Sequence, residues 1–201
     1  MSAVPESLYW WIAGAILFFW GIGAHNRLMR LRSAGLIAFA ALDAALVRQL
    51  DFVQANSGAA TNDATADAEA ASALPAAVAQ MAQMLATARL RPLDPVAISA
   101  LGTALHVLLA AWRRAHPERV MVFEADGTLS RPAPLEAVSA EAARANPELA
   151  APLAWPEPSP MAEIARGQFN GAVAHYNAAV GQFPALFVAW AFRLRRAAPL
   201  V

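Results

Sequence analysis

Residues 8–24, LYWWIAGAILFFWGIGA, are seventeen consecutive positions without a charged side chain. At ~1.5 Å rise per residue a helix over this run covers roughly 25 Å, close to the lower limit for crossing a bilayer. Tyr9, Trp10 and Trp11 stand at one end and Phe18, Phe19 and Trp20 at the other, where amphipathic rings favour the headgroup level. The pattern predicts a single transmembrane helix. A soluble core helix and a cleaved secretory signal are the alternatives, and the second lacks the positive charge that should precede its apolar run. His25, Arg27, Arg30 and Arg32 follow the run instead, which predicts an outside N-terminus and a body on the cytoplasmic side of an inner membrane.

Beyond the run the spacing becomes amphipathic. Leu28, Leu31, Gly35, Phe39, Leu42, Leu46, Leu50 and Val53 recur at three- and four-residue steps without a proline, so the anchor is expected to continue as the first bundle helix to about Gln54. Asn56-Ser57-Gly58 supplies a stop. Residues 59–73 are acidic and short of large apolar side chains, as expected of a linker or a weak solvated helix. Leu74, Val78, Met81 and Leu85 predict a second helix over 74–89, with Met81 and Met84 as core filling. Asp94-Pro95 reads as a cap and first helical residue, opening a third helix to about Ala115 with Ile98, Leu101, Leu105, Leu108 and Trp112 on one face and His106 at its boundary.

From Pro117 to Pro160 this periodicity fails. Val120-Met121-Val122-Phe123, the turn dipeptide Asp126-Gly127 and Thr128-Leu129 predict one small hairpin, followed by a short helix among proline-rich loops. The last long helix is clear: Phe169, Val173, Tyr176, Val180 and Phe183 form a heptad-like bundle seam, with Asn170 and Asn177 on a neighbouring line, either bonding across helices or facing solvent. After Pro184 comes LFVAWAFRLRR. If the first and last helices are antiparallel neighbours, this tail returns to the membrane surface, where its aromatics enter the interface and its arginines meet headgroups. The alternative is that the aromatics complete the bundle core.

Composition narrows the functional classes. The chain has 201 residues, fifteen arginines and no lysine against fifteen acidic residues, and a formal net charge of zero. That balance argues against a nucleic-acid partner. With no cysteine there is no disulfide, thiolate metal site or cysteine nucleophile. No catalytic, metal or cofactor constellation emerges. The phrase VMVFEADGTL resembles the first motif of haloacid-dehalogenase-type phosphotransferases, but Glu124 stands at the nucleophile's place, and no alternating strand and helix pattern surrounds it.

A second resemblance covers about half of the chain. Residues 161–190 resemble the C-terminal signature of LemA family membrane proteins: an Ile-Ala-x-x-Arg-like start, Phe169-Asn170, Tyr176-Asn177 and Phe183-Pro184. His25-Asn26-Arg27-Leu28 and the residues to Arg32 look like the family's Tyr-Asn-x-Leu-x-x-Leu-Arg segment. Leu108 to Trp112 and His116-Pro117-Glu118 sit where members carry Leu-Leu-x-x-x-Glu and Tyr-Pro-x-Leu. The family's Leu-Ile-Pro-Asn-Leu-Val block is replaced by Leu50-Asp51-Phe52-Val53-Gln54, and the 118–160 connection is longer than the family's. The resemblance implies an antiparallel helical bundle on one N-terminal anchor with no known enzymatic chemistry. Relatives in magnetosome membranes suggest membrane organisation as a class.

The expected fold is therefore all-α: an N-terminal tail and span over 1–24, a bundle of about four helices over 25–183 with its insertion at 118–160, and a basic aromatic tail over 184–201. Tyr9, Trp10, Trp11, Trp20, Arg27, Arg30, Arg32, Trp190, Arg193, Arg195 and Arg196 are the expected membrane-interface residues. The expected partners are the lipid bilayer and a second protein or further copies of this chain. The expected role is a non-enzymatic scaffold or adaptor, with an accessory subunit of a membrane enzyme or transporter as the alternative.

Overall fold

The computed structural model describes residues 6–57, 68–116, 119–123, 128–130, 153–183 and 185–201. They are mostly helical: α1 Glu6–Ser57, α2 Ala68–Leu90, α3 Pro95–Ala115, α4 Met161–Gly181 and the short α5 Ala185–Ala191. Three strands, β1 Met121–Phe123, β2 Leu129–Ser130 and β3 Ala154–Trp155, form a small antiparallel sheet in the order β2-β1-β3.

Helix α1 runs unbroken for 52 residues, about 78 Å at the α-helical rise. Its stripe from Leu28 through Val53 is buried or half-buried throughout, so the spacing in the sequence is the spacing of the core. The helix packs mainly on α4, and α2 packs mainly on α3. Cross-contacts fix the directions. His25 meets Phe192 just after α5, Phe39 meets Phe169 within α4, and Gln49 bonds Glu157 just before α4, so α1 and α4 are antiparallel. Asp43 pairs with Arg89 near the end of α2, and Phe52 meets Trp112 near the end of α3. The body therefore has a near end, at His25, and a far end, where the sheet lies.

Several sequence expectations need correction. Helix α2 begins at Ala68, not Leu74, and so carries Pro75 inside it, beyond the first turn, where the ring has no N–H to give the carbonyl four residues earlier. Asp94 takes the cap position with Pro95 behind it, but its side chain makes no capping bond. His106 lies exposed, with its Nδ1 2.9 Å from the Gly102 carbonyl. The hairpin strands pair as expected, with Phe123 opposite Leu129, but β3 adds a third strand the sequence did not signal. Its Trp155 is fully buried, and the indole N–H donates to Glu163, which also accepts from the buried Arg166. Glu124, Asp126, Gly127 and the expected short helix over 139–146 lie outside the described residues.

Phe183 is not part of the seam. Phe169, Val173, Tyr176 and Val180 are buried, but α4 ends at Gly181 and Gln182 is extended, which carries Phe183 off the buried face to 79 % exposure. There it meets Phe187 edge to face. Helix α3 is, among the described residues, the helix long and apolar enough to cross a membrane, but Ile98, Leu101, Leu105, Leu108 and Trp112 are all buried in the protein core.

The two asparagines neither cross helices nor face solvent. Each clasps the backbone of the C-terminal segment after α5. Asn177 donates to the Ala197 carbonyl at 2.8 Å and accepts from the Ala197 N–H at 2.9 Å. Asn170 does the same with Leu200, at 3.0 and 2.8 Å. Seven helical residues advance about 10.5 Å and three extended residues about 10 Å, so two asparagines seven apart match two tail residues three apart. The tail, expected as a whole at the membrane surface, instead turns back onto the bundle, where Ala197 and Leu200 are buried. It reaches α3, where a Cβ on Gly102 would stand 3.2 Å from the Val201 carbonyl.

Asn170→Ala should leave the Leu200 N–H and carbonyl without their partner and cost about 2 kcal/mol in urea unfolding. Hydrogen exchange gives the local readout: the Leu200 and Ala197 amides are protected in the parent chain and should exchange rapidly in the double variant Asn170→Ala, Asn177→Ala, while the Phe169 amide, within α4, stays protected.

Candidate membrane-facing site

The near end of the body gathers three sets of side chains. The first is the extension of α1 ahead of His25. Among its described side chains Trp10 is 80 % exposed, Trp11 78 % and Phe19 72 %, and Tyr9, Ile12, Ile16, Leu17, Phe18, Trp20 and Ile22 are exposed as well. No described element covers this length, although a helix apolar on all faces belongs in an apolar surrounding. One turn further the character changes, because Leu28 is completely buried while Arg27, Arg30 and Arg32 point outward.

The second set is α5. It packs on α1 and α4 through the buried Ala189 and leaves Leu186, Phe187, Trp190 and Phe192 exposed, with Trp190 at 81 %. The rings of His25 and Phe192 lie 4.4 Å apart, which places α5 at the level where the apolar run of α1 ends. The tail thus serves two ends: α5 presents aromatics outward and the extended segment completes the bundle.

The third set is a turn. Leu194 donates to the Ala189 carbonyl at 2.8 Å and Arg193 to the Trp190 carbonyl at 3.2 Å, the bond pair that closes a helix when the first residue past its cap is left-handed. That residue is Arg193, with φ 52°, and it is the one non-glycine with positive φ among the described residues. Glycine usually fills this position because a Cβ is strained there by roughly 1–2 kcal/mol. Arg195 and Arg196 follow, both exposed.

Of the residues expected at an interface, Tyr9, Trp10, Trp11 and Trp20 lie along the apolar extension, Arg27, Arg30 and Arg32 just below it, and Trp190, Arg193, Arg195 and Arg196 beside them through α5. The sequence reading missed Arg91, which the α2–α3 turn carries to the same end. Arg32, Arg91, Arg193 and Arg195 line one groove of about 330 Å³ with Tyr176 and Asp94. That turn packs on α1 at Gly35, where an added Cβ would make ordinary contact with Leu93 at 3.4 Å.

Tyr176 joins the groove to the tail. Its hydroxyl donates to the Arg195 carbonyl at 3.0 Å, and burial raises its pKa above the ordinary value of 10.0, with Arg32 pulling the other way. No protein-family model, curated protein or solved structure matches this chain.

Because the folded pKa of Tyr176 exceeds its unfolded value, the fold holds that proton more tightly than the unfolded chain does. Its contribution should be complete below pH 10 and be lost as pH rises through the raised value. Urea unfolding of the detergent-solubilised chain should therefore weaken above about pH 10, more steeply for the parent than for Tyr176→Phe.

Proposed function

We propose that this chain is a single-pass, membrane-anchored helical scaffold or adaptor of the LemA type, with residues 8–24 in lipid and the bundle on the cytoplasmic face. The observation that carries the reading is the change along one continuous helix. Ahead of His25 the described large apolar side chains are uncovered, and from Leu28 onward the same helix has a buried stripe and a charged outer face. Lipid supplies what the protein does not, since a helix satisfies its own backbone hydrogen bonds and needs only an apolar solvent around its side chains.

Two features support a surface apposed to the bilayer below the anchor. Helix α5 sits beside His25 with Trp190 and Phe192 outward, and tryptophan and phenylalanine with flanking arginines suit the headgroup boundary. The arginines also set the direction, because basic residues close to a span favour the cytoplasmic side. In this reading the bundle is held against the inner leaflet at its near end and offers its far end to partners or to further copies of itself.

Alkaline carbonate washing of membranes should leave the full-length chain in the pellet, and Ile16→Arg with Phe19→Arg should move it to the supernatant. A fluorescent reporter fused after Val201 should report cytoplasm. Release of the parent chain by carbonate contradicts the anchor, and a periplasmic reporter contradicts the orientation. Crosslinking in intact membranes should capture further copies of the chain or a dispersed set of membrane proteins, whereas stoichiometric capture of one enzyme or transporter favours an accessory subunit.

A further inference from the structure

The arginine groove at the near end has the features of a built anion site. Four arginines, from α1, the α2–α3 turn and the turn after α5, line one depression together with a single acidic residue, Asp94. None of the four has an ion-pair partner among the described residues, while the ion pairs that do form, such as Arg89 with Asp43, lie elsewhere. Gathering four positive charges around one carboxylate disfavours the fold, and guanidiniums suit the several oxygens of a phosphate.

The turn that brings two of them in is independently unusual. Arg193 stands at the left-handed position that closes α5, where glycine would be relaxed, and it is one of the residues that line the groove. Strain kept at a position that contributes a charge to such a depression points to use of that charge. Tyr176 fixes the backbone two residues on by donating to the Arg195 carbonyl, and the asparagine clasps at Ala197 and Leu200 hold the segment beyond it. The site is thus set by packed elements on three sides.

We propose that this groove binds a phosphate monoester, with Arg32, Arg91, Arg193 and Arg195 as the binding residues. Depth bears on the source. Arg32 lies eight residues beyond Ala24, about 12 Å along the helix, whereas the headgroup layer is only about 5–7 Å deep on each side. A water-soluble phosphate ester reaches it directly, and a lipid reaches it through a projecting terminal phosphate. The location beside the bilayer rests on the anchor reading; the anion chemistry does not.

The test uses the full-length chain in non-ionic detergent, so it is independent of membrane insertion. Sodium phosphate is compared with sodium chloride at matched ionic strength, and dihexanoyl phosphatidic acid with dihexanoyl phosphatidylcholine, reading thermal midpoint and calorimetric titration. Inorganic phosphate, which carries the dianionic group of a monoester, or dihexanoyl phosphatidic acid should raise the midpoint. Arg91→Ala should weaken its binding at least tenfold, with Arg91→Lys between. Arg193→Gly should weaken binding similarly while leaving the ligand-free midpoint equal or higher, which a loss of folding cannot imitate. A response to inorganic phosphate alone assigns the site to a water-soluble phosphate, and a response to phosphatidic acid alone assigns it to a headgroup. No response beyond the chloride and phosphatidylcholine controls, or unchanged affinity in Arg91→Ala and Arg193→Gly, overturns the proposal. Retention or release in carbonate leaves this result untouched, so the two readings fail separately.

Discussion

The near end of this molecule depends on two side-chain amides. Asn170 and Asn177 each exchange two hydrogen bonds with the backbone of the tail, at Leu200 and Ala197, and so give an extended segment the partners that a neighbouring strand would supply. A chain lying on a helix otherwise leaves its N–H and carbonyl groups unpaired, which is costly when they are buried. Because the clasp is made at two points, the tail's register is set, and with it the turn at Arg193 and the placement of α5. Helix α5 in turn lies against His25, where the apolar run of α1 ends. A local backbone-pairing device thereby decides which side chains share the end of the body from which the uncovered helix projects.

Much of the helical body was legible because it obeys one rule. Leu28 through Val53, Leu74 through Leu85 and Ile98 through Trp112 recur at helical spacing, and those positions are the core. Phe183 failed because spacing continues arithmetically where a helix does not: once α4 ends at Gly181, the next aromatic no longer faces its predecessors. The third strand was not legible, since Ala154-Trp155 is too short to show alternation and is stabilised by Trp155 and its bond to Glu163. The role of the asparagines was half legible. Their seven-residue separation marked one face of a helix, but their partners lie twenty and thirty residues away in a segment with no periodicity of its own.

The candidate site divides in the same way. Its aromatic and basic composition could be read from the two ends of the chain, and their meeting followed from the antiparallel packing of α1 and α4. Arg91 could not be found so, because its arrival depends on how the α2–α3 turn packs against α1, where Leu93 lies over Gly35. The same packing turns a line of surface arginines into a groove. An uncovered apolar helix, an aromatic surface segment and a cluster of arginines share one end of the body, and together they support the proposed seating of that end on a bilayer.

That seating is tested most directly by accessibility of spin labels in vesicles of mixed zwitterionic and anionic lipid. Labels are placed singly at Trp190 and Phe187 in α5 and, as a reference, at His106 on α3, and their relaxation by oxygen is compared with that by a water-soluble nickel chelate. The account predicts that Trp190 and Phe187 lie at the interface, with high oxygen and low chelate accessibility that reverses when the protein is moved into lipid-free detergent dilution, while His106 remains in water throughout. Equal chelate accessibility at all three positions would contradict it.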